Sequence, residues 1–65
     1  MKLTNNIKIL RAEEDLTQEE LAKKAGVTRQ TIISIEQGRY VPSLILSFKI
    51  AIIFNKKISQ VWRFR

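Results

Sequence analysis

Two helix-start signals stand eleven residues apart with a glycine between them, and no other feature constrains the fold of this chain as tightly. Thr17 is followed three residues later by Glu20. This is a capping box, in which each end satisfies an orphan backbone donor of the other. Leu16 before the cap and Leu21 at the fourth helical position form the matching hydrophobic staple. A helix therefore begins at Gln18. Its residues Leu21, Ala22 and Ala25 give a small apolar face that lets another helix come close. Gly26 ends it, because a glycine after a helix takes the left-handed conformation that closes the last turn. Only Val27 then precedes Thr28, a second cap. The next helix reads from Arg29 to Gln37, with Ile32 and Ile35 on its buried face, and Gly38 stops it.

Two helices joined by three or four residues must cross steeply, which is the helix-turn-helix arrangement, here spanning about residues 17–38. Asn5 or Asn6 caps a preceding helix that runs to about Asp15, with Ile7 and Leu10 on its buried stripe. After the connector Arg39-Tyr40-Val41, Pro42 forces Val41 out of helical geometry. A fourth helix follows from about Ser43 to Asn55, and a short fifth spans Ile58 to Val61. The tail Trp62-Arg63-Phe64-Arg65 alternates apolar and basic residues, which is a strand pattern, and Lys2-Leu3-Thr4 is its candidate partner.

A chain of 65 residues makes one domain, residues 1–65. It buries only about 60% of the surface it exposes unfolded, which leaves little room for an enclosed substrate pocket. Without cysteine or histidine it lacks disulfides, thiolate ligands, the commonest general base and the commonest zinc ligand. Its six acids do not follow a calcium-loop pattern. An enzyme, a redox protein or a metal module is therefore not expected, and no cofactor is implied. The most apolar window, Leu44 to Phe54, is too short for a membrane span, and there is no signal-like segment, so the expected location is the cytoplasm. The charge points to a partner. Residues 1–20 carry three basic and five acidic side chains, net −2; residues 21–65 carry nine and one, net +8. A basic body with a local acidic patch suits an oriented polyanion binder.

The stretch from Leu16 to Ser43 resembles the Cro and phage-repressor type of helix-turn-helix regulator, and the match extends from about Asn5 to Phe54. The capping box, Gly26, Thr28-Arg-Gln-Thr-Ile, Ile35-Glu36-Gln-Gly38 and Pro42-Ser43 all fall at that family's spacing. The fold implied is all-α, a five-helix lambda-repressor-like DNA-binding domain, to which the terminal strand pattern adds a small two-stranded β-ribbon. In such domains the N-terminal residues of the recognition helix meet base edges in the major groove. Here these are Thr28, Arg29 and Gln30, with Ser34 one turn on. Arg29 suits guanine O6 and N7; Gln30 suits adenine N6 and N7. The resemblance gives Gln18 two tasks, touching a phosphate and bracing the recognition-helix glutamine. Arg39 and Tyr40 reach the flanking backbone, and Thr17, Ser43 and Lys8 are further phosphate candidates. Glu36 is the only acid after residue 20, and a carboxylate near DNA needs neutralising. Arg11 is its expected partner, as in related repressors. Glu13, Glu14, Asp15, Glu19 and Glu20 are expected to face away from DNA. Asp15 stands where the family often has Gly or Asn, which implies a less relaxed turn.

The fourth helix carries more apolar residues than one small core needs. Leu44, Ser47, Ala51 and Phe54 form one stripe suited to the core, yet Ile45, Phe48, Ile52 and Ile53 cover other faces. Trp62 and Phe64 add to this surface. A contiguous exposed patch marks an interaction site. Small members of the family form two-fold dimers through their C-terminal half, so the expectation is a homodimer using Ile45, Phe48, Ile52, Trp62 and Phe64, within residues 44–65. Its site would be an inverted repeat with half-sites one turn apart. Ile33 either meets a thymine methyl or packs on the first helix, and Ile9 has no assigned role. The leading reading is a dimeric, sequence-specific repressor of double-stranded DNA. A second reading is an antitoxin-like interaction module whose apolar C-terminal surface binds a partner protein. A cationic membrane peptide does not fit, because the charge is not segregated on one long helix.

Overall fold

The computed structural model describes residues 1–65. Five helices and a two-stranded ribbon follow one another: β1 (Leu3–Asn5), α1 (Ile7–Glu13), α2 (Gln18–Ala25), α3 (Arg29–Glu36), α4 (Leu44–Ile53), α5 (Ile58–Val61) and β2 (Trp62–Phe64). No helix is long and apolar enough to cross a membrane.

The local signals are realised in atoms. Thr17 Oγ1 accepts from the Glu20 amide at 3.0 Å, and Glu20 Oε1 accepts from the Thr17 amide at 2.9 Å. Gly26 closes α2 with φ +74°. A Cβ there would meet only Lys49 Nζ, 3.9 Å away, so glycine is needed for its conformation and not for space. Thr28 caps α3 and Ser43 caps α4, each accepting from the amide three residues on. Asn5 Oδ1, rather than a side-chain bond from Asn6, receives the Ile7 amide at the start of α1.

Two helices stop earlier than their sequence pattern suggests. Asp15 and Asn55 both adopt φ +53°, the left-handed region, which no α-helix can contain. So α1 ends at Glu13 instead of reaching Asp15, and α4 ends at Ile53. Asp and Asn tolerate this region better than other non-glycine residues, so both turns are built at modest cost.

The chain ends pair antiparallel, with Leu3 opposite Phe64, Thr4 opposite Arg63 and Asn5 opposite Trp62. Reciprocal backbone bonds between Lys2 and Arg65 extend the ribbon. Asn5 Nδ2 donates to the Ile35 carbonyl at 3.0 Å, tying the ribbon to α3.

The core gathers Ile7, Leu10, Leu21, Ala22, Ala25, Ile32 and Ile35 from the first three helices with Leu46, Ile50, Ala51, Phe54, Val61 and Trp62. Two expectations are corrected here. The buried stripe of α4 is Leu46, Ile50, Ala51 and Phe54; Leu44 is 71% exposed and Ser47 is only half-buried. Trp62 is 7% exposed, so its indole belongs to the core and is not free for a dimer contact. Its alternation partner Phe64 lies one pleat further out, beyond the core's edge, and is exposed. Ile33 is half-buried outside the core cluster, and Ile9 is exposed.

Candidate nucleic-acid interface

Only Gly26, Val27 and Thr28 separate α2 from α3. That short turn throws the N-terminus of α3 outward. Thr28, Arg29 and Gln30 are all exposed there, and Ser34 is half-exposed one turn on. Two open concavities flank this end. The first, about 490 Å³, is lined by Arg11, Thr17, Gln18, Glu19 and Arg29. The second, about 340 Å³, is lined by Thr28, Gln30, Thr31, Ser34, Arg39 and Tyr40. Eight of the ten expected DNA-contacting residues therefore fall in two adjoining polar hollows. Lys8 and Ser43 line neither. Lys8 is exposed on α1, and the Ser43 hydroxyl receives the Leu46 amide at 3.2 Å.

The hollows also hold residues that the pattern reading missed. Thr31 pairs its hydroxyl with that of Thr28 at 3.0 Å and faces the second hollow. Helical spacing of three from Thr28 was the signal that would have found it. Glu19, expected to face away from DNA with the other acids, lines the first hollow beside Arg29. It is the first-turn neighbour of Gln18, so it shares that helix end.

Glu36 is neutralised as expected, and more completely. Arg11 Nε donates to Oε2 at 2.7 Å and Arg11 Nη2 to Oε1 at 3.2 Å, a bidentate fork. The side chains are 15% and 9% exposed. Arg11 Nη1 also donates to the Leu16 carbonyl at 3.0 Å, which fastens the turn before α2. Gln18 Nε2 adds a third donor to the carboxylate, at 3.2 Å. This corrects the expected brace between Gln18 and Gln30: the amide of Gln30 donates instead to Ser34 Oγ, at 3.4 Å. A full charge outcompetes a neutral amide for a donor within reach. No buried side-chain nitrogen or oxygen is left without a partner.

The capping box has its own pH signature. The carboxyl of Glu20 is held below its ordinary value of 4.5, first by the Thr17 backbone hydrogen bond, then by the Thr17 side chain and the charges of Lys24 and Lys23. A lowered carboxyl contributes stability that is complete above the ordinary value and lost as pH falls through the lowered one. Thr17→Ala is expected to cost about 1 kcal/mol, or roughly 4–8 °C in melting temperature. Thermal melts of Glu20→Ala should show a deficit at neutral pH that shrinks once pH drops below 4.5. A deficit that stays constant to pH 2 would contradict the assignment.

The chain resembles known proteins over nearly its whole length. A helix-turn-helix family model matches residues 7–61. An uncharacterised helix-turn-helix-type transcriptional regulator of Methanocaldococcus jannaschii is 57% identical over 60 residues, 92% of this chain and 91% of that one. The immunity repressor protein of Bacillus phage phi105 is 46% identical over 44 residues, 68% of this chain and 31% of the repressor. The crystal structure of a restriction-modification controller protein from Aeromonas hydrophila superimposes with a TM-score of 0.77 at 28% identity, over 83% of this chain and 82% of that one. With the three-residue turn and the exposed start of α3, these likenesses establish that the chain belongs to the Cro and phage-repressor type of helix-turn-helix transcriptional regulators, a family of DNA-binding proteins without catalytic activity.

Proposed function

We propose that this protein is a cytoplasmic repressor that binds an inverted-repeat operator in double-stranded DNA as a homodimer. One observation carries the reading: Thr28, Arg29 and Gln30 stand at the exposed start of α3 with Ser34 one turn on, flanked by hollows that hold Gln18, Thr17, Arg39 and Tyr40. In this reading α3 enters the major groove. Arg29 reads a guanine and Gln30 an adenine, each worth about 1–3 kcal/mol of discrimination. Thr28 and Ser34 touch neighbouring base edges. Thr17, Gln18, Arg39, Tyr40, Ser43 and Lys8 hold the backbone, which sets register without carrying sequence information. Occupying the site blocks transcription, a reading supported by the likeness to the immunity repressor protein of Bacillus phage phi105.

The dimer contact is built on α4. Ile45, Phe48 and Ile52 are 73%, 50% and 74% exposed and share one helical face with Leu44. Phe64 at the end of β2 joins them as a rim residue. The same face also supports the second reading, an antitoxin-like module that occupies a partner protein; a stable dimer of the isolated chain argues against it.

Arg39 supplies the test of the backbone contacts. Arg39→Ala is expected to weaken binding to every duplex by a similar factor and to reduce the salt slope of log K by about 0.9 per subunit. Fluorescence anisotropy across a salt series measures it. An unchanged slope would remove Arg39 from the contact set.

A further inference from the structure

Asn5 ends β1, and its one side-chain amide serves two helices. Oδ1 accepts from the Ile7 amide at 3.1 Å, at the start of α1. Nδ2 donates to the Ile35 carbonyl at 3.0 Å, in the last turn of α3. These partners fix which way the amide points, since an N–H needs an oxygen and a carbonyl needs an NH₂ group. The Ile35 carbonyl has a second donor, the Gly38 amide at 3.0 Å, and the Arg39 amide reaches the Ser34 carbonyl at 2.9 Å. With Gly38 at φ +74°, those two backbone bonds make a Schellman closure of α3. Arg39 is the first residue beyond the left-handed glycine, so this closure sets the direction in which Arg39 and Tyr40 leave α3. Asn5 adds a third donor to it, on the oxygen that Gly38 uses. The backbone of Asn5 is itself held opposite the buried Trp62. Leu3, Asn5 and Trp62 share a crevice of about 20 Å³ with Gly38, Tyr40 and Pro42. Tyr40 lines both this crevice and the second hollow.

We propose that Asn5 is a positioning residue for DNA backbone binding: its amide holds the closing turn of α3, and that turn aims the Arg39 guanidinium at a phosphate. The proposal rests on the DNA-binding reading above and deepens it. A neutral side chain of the terminal ribbon thereby governs an electrostatic contact made from the far end of α3. The ribbon, which lies outside the helix-turn-helix, becomes part of the binding apparatus through this one amide.

The test is the salt slope of log K for Asn5→Ser, measured by fluorescence anisotropy. Serine keeps an oxygen that can accept the amide two residues on, so the start of α1 stays satisfied. Its side chain is too short to reach Ile35 as well. The substitution removes no charge. It is nevertheless expected to reduce the slope by about 0.9 per subunit, the share of one phosphate contact, and to weaken binding to every duplex roughly 5-fold. A purely structural role would lower the folded fraction and leave the slope of the bound species where it was. In the Arg39→Ala background, Asn5→Ser should change neither quantity. Circular dichroism melts check that the variants are folded, and Asn5→Thr, whose branched side chain suits β1, takes the place of Asn5→Ser if the serine variant is not. If the slope of the folded variant stays at the wild-type value, or if its effect adds fully to that of Arg39→Ala, Asn5 acts apart from Arg39 and the proposal is overturned. A wild-type protein whose binding shows no salt dependence would overturn the proposal and the DNA-binding reading together.

Discussion

Arg11→Met is expected to destabilise the fold by about 3 kcal/mol, the low end for breaking a buried pair, because the two side chains are 15% and 9% exposed. For a domain this small that lowers the melting temperature by roughly 12–24 °C. The cost comes mainly from what is left behind. Without Arg11, the Glu36 carboxylate keeps only the Gln18 amide, and the Leu16 carbonyl loses its side-chain donor. An under-satisfied charge on a nearly buried side chain is expensive, whereas the intact pair adds little net stability. The double variant Arg11→Met with Glu36→Leu should therefore recover much of the loss. Differential scanning calorimetry of the three proteins measures both effects. A single variant that melts with the wild type would show that the pair holds nothing together.

Glu36 was legible in the sequence because it is the only acid after residue 20, whereas the choice of Arg11 among the basic residues came from the resemblance to related repressors. The helix starts were legible for a different reason. A capping box, a glycine and a second threonine act within four residues of chain, so no tertiary knowledge is needed to read them. The ribbon followed from two-residue alternation at the chain end, and β1 starts one residue later than Lys2. The buried face of α4 was not legible. Its ten residues, Leu-Ile-Leu-Ser-Phe-Lys-Ile-Ala-Ile-Ile, are apolar nearly all round, so periodicity could not rank Leu44 below Leu46. Trp62 failed for a related reason: an aromatic in an alternating tail can face the core or solvent, and the register with Asn5 decides which. Gln18 was placed by analogy with a partner glutamine. Its actual partner is set by the three-dimensional reach of Glu36 from the far end of α3, which no local pattern encodes.

Ile52→Glu is expected to separate folding from function. Ile52 is exposed in the single chain, so the monomer should keep its helical signal and most of its stability. In a two-fold contact the substitution places two like charges across an apolar interface, and the dimer should dissociate. Sedimentation equilibrium at micromolar concentration would then change from twice the 7.6 kDa chain mass to a single chain mass. Binding to an inverted repeat should fall by about 10²-fold or more, because the second half-site no longer benefits from the first. Binding to one isolated half-site should barely change. Wild-type protein that sediments at 7.6 kDa would rule out the homodimer and move weight to the partner-protein reading.

In the proposed complex an exposed α3, held by the Arg11–Glu36–Gln18 network, reads base sequence in two copies related by a two-fold axis. Selection of bound duplexes from a random DNA library, at about 150 mM salt to suppress phosphate-only binding, tests it most directly. The expected product is an inverted repeat whose half-site centres lie about 34 Å apart, with a guanine that Arg29→Ala no longer prefers. A library that emerges without any enriched sequence would contradict the claim.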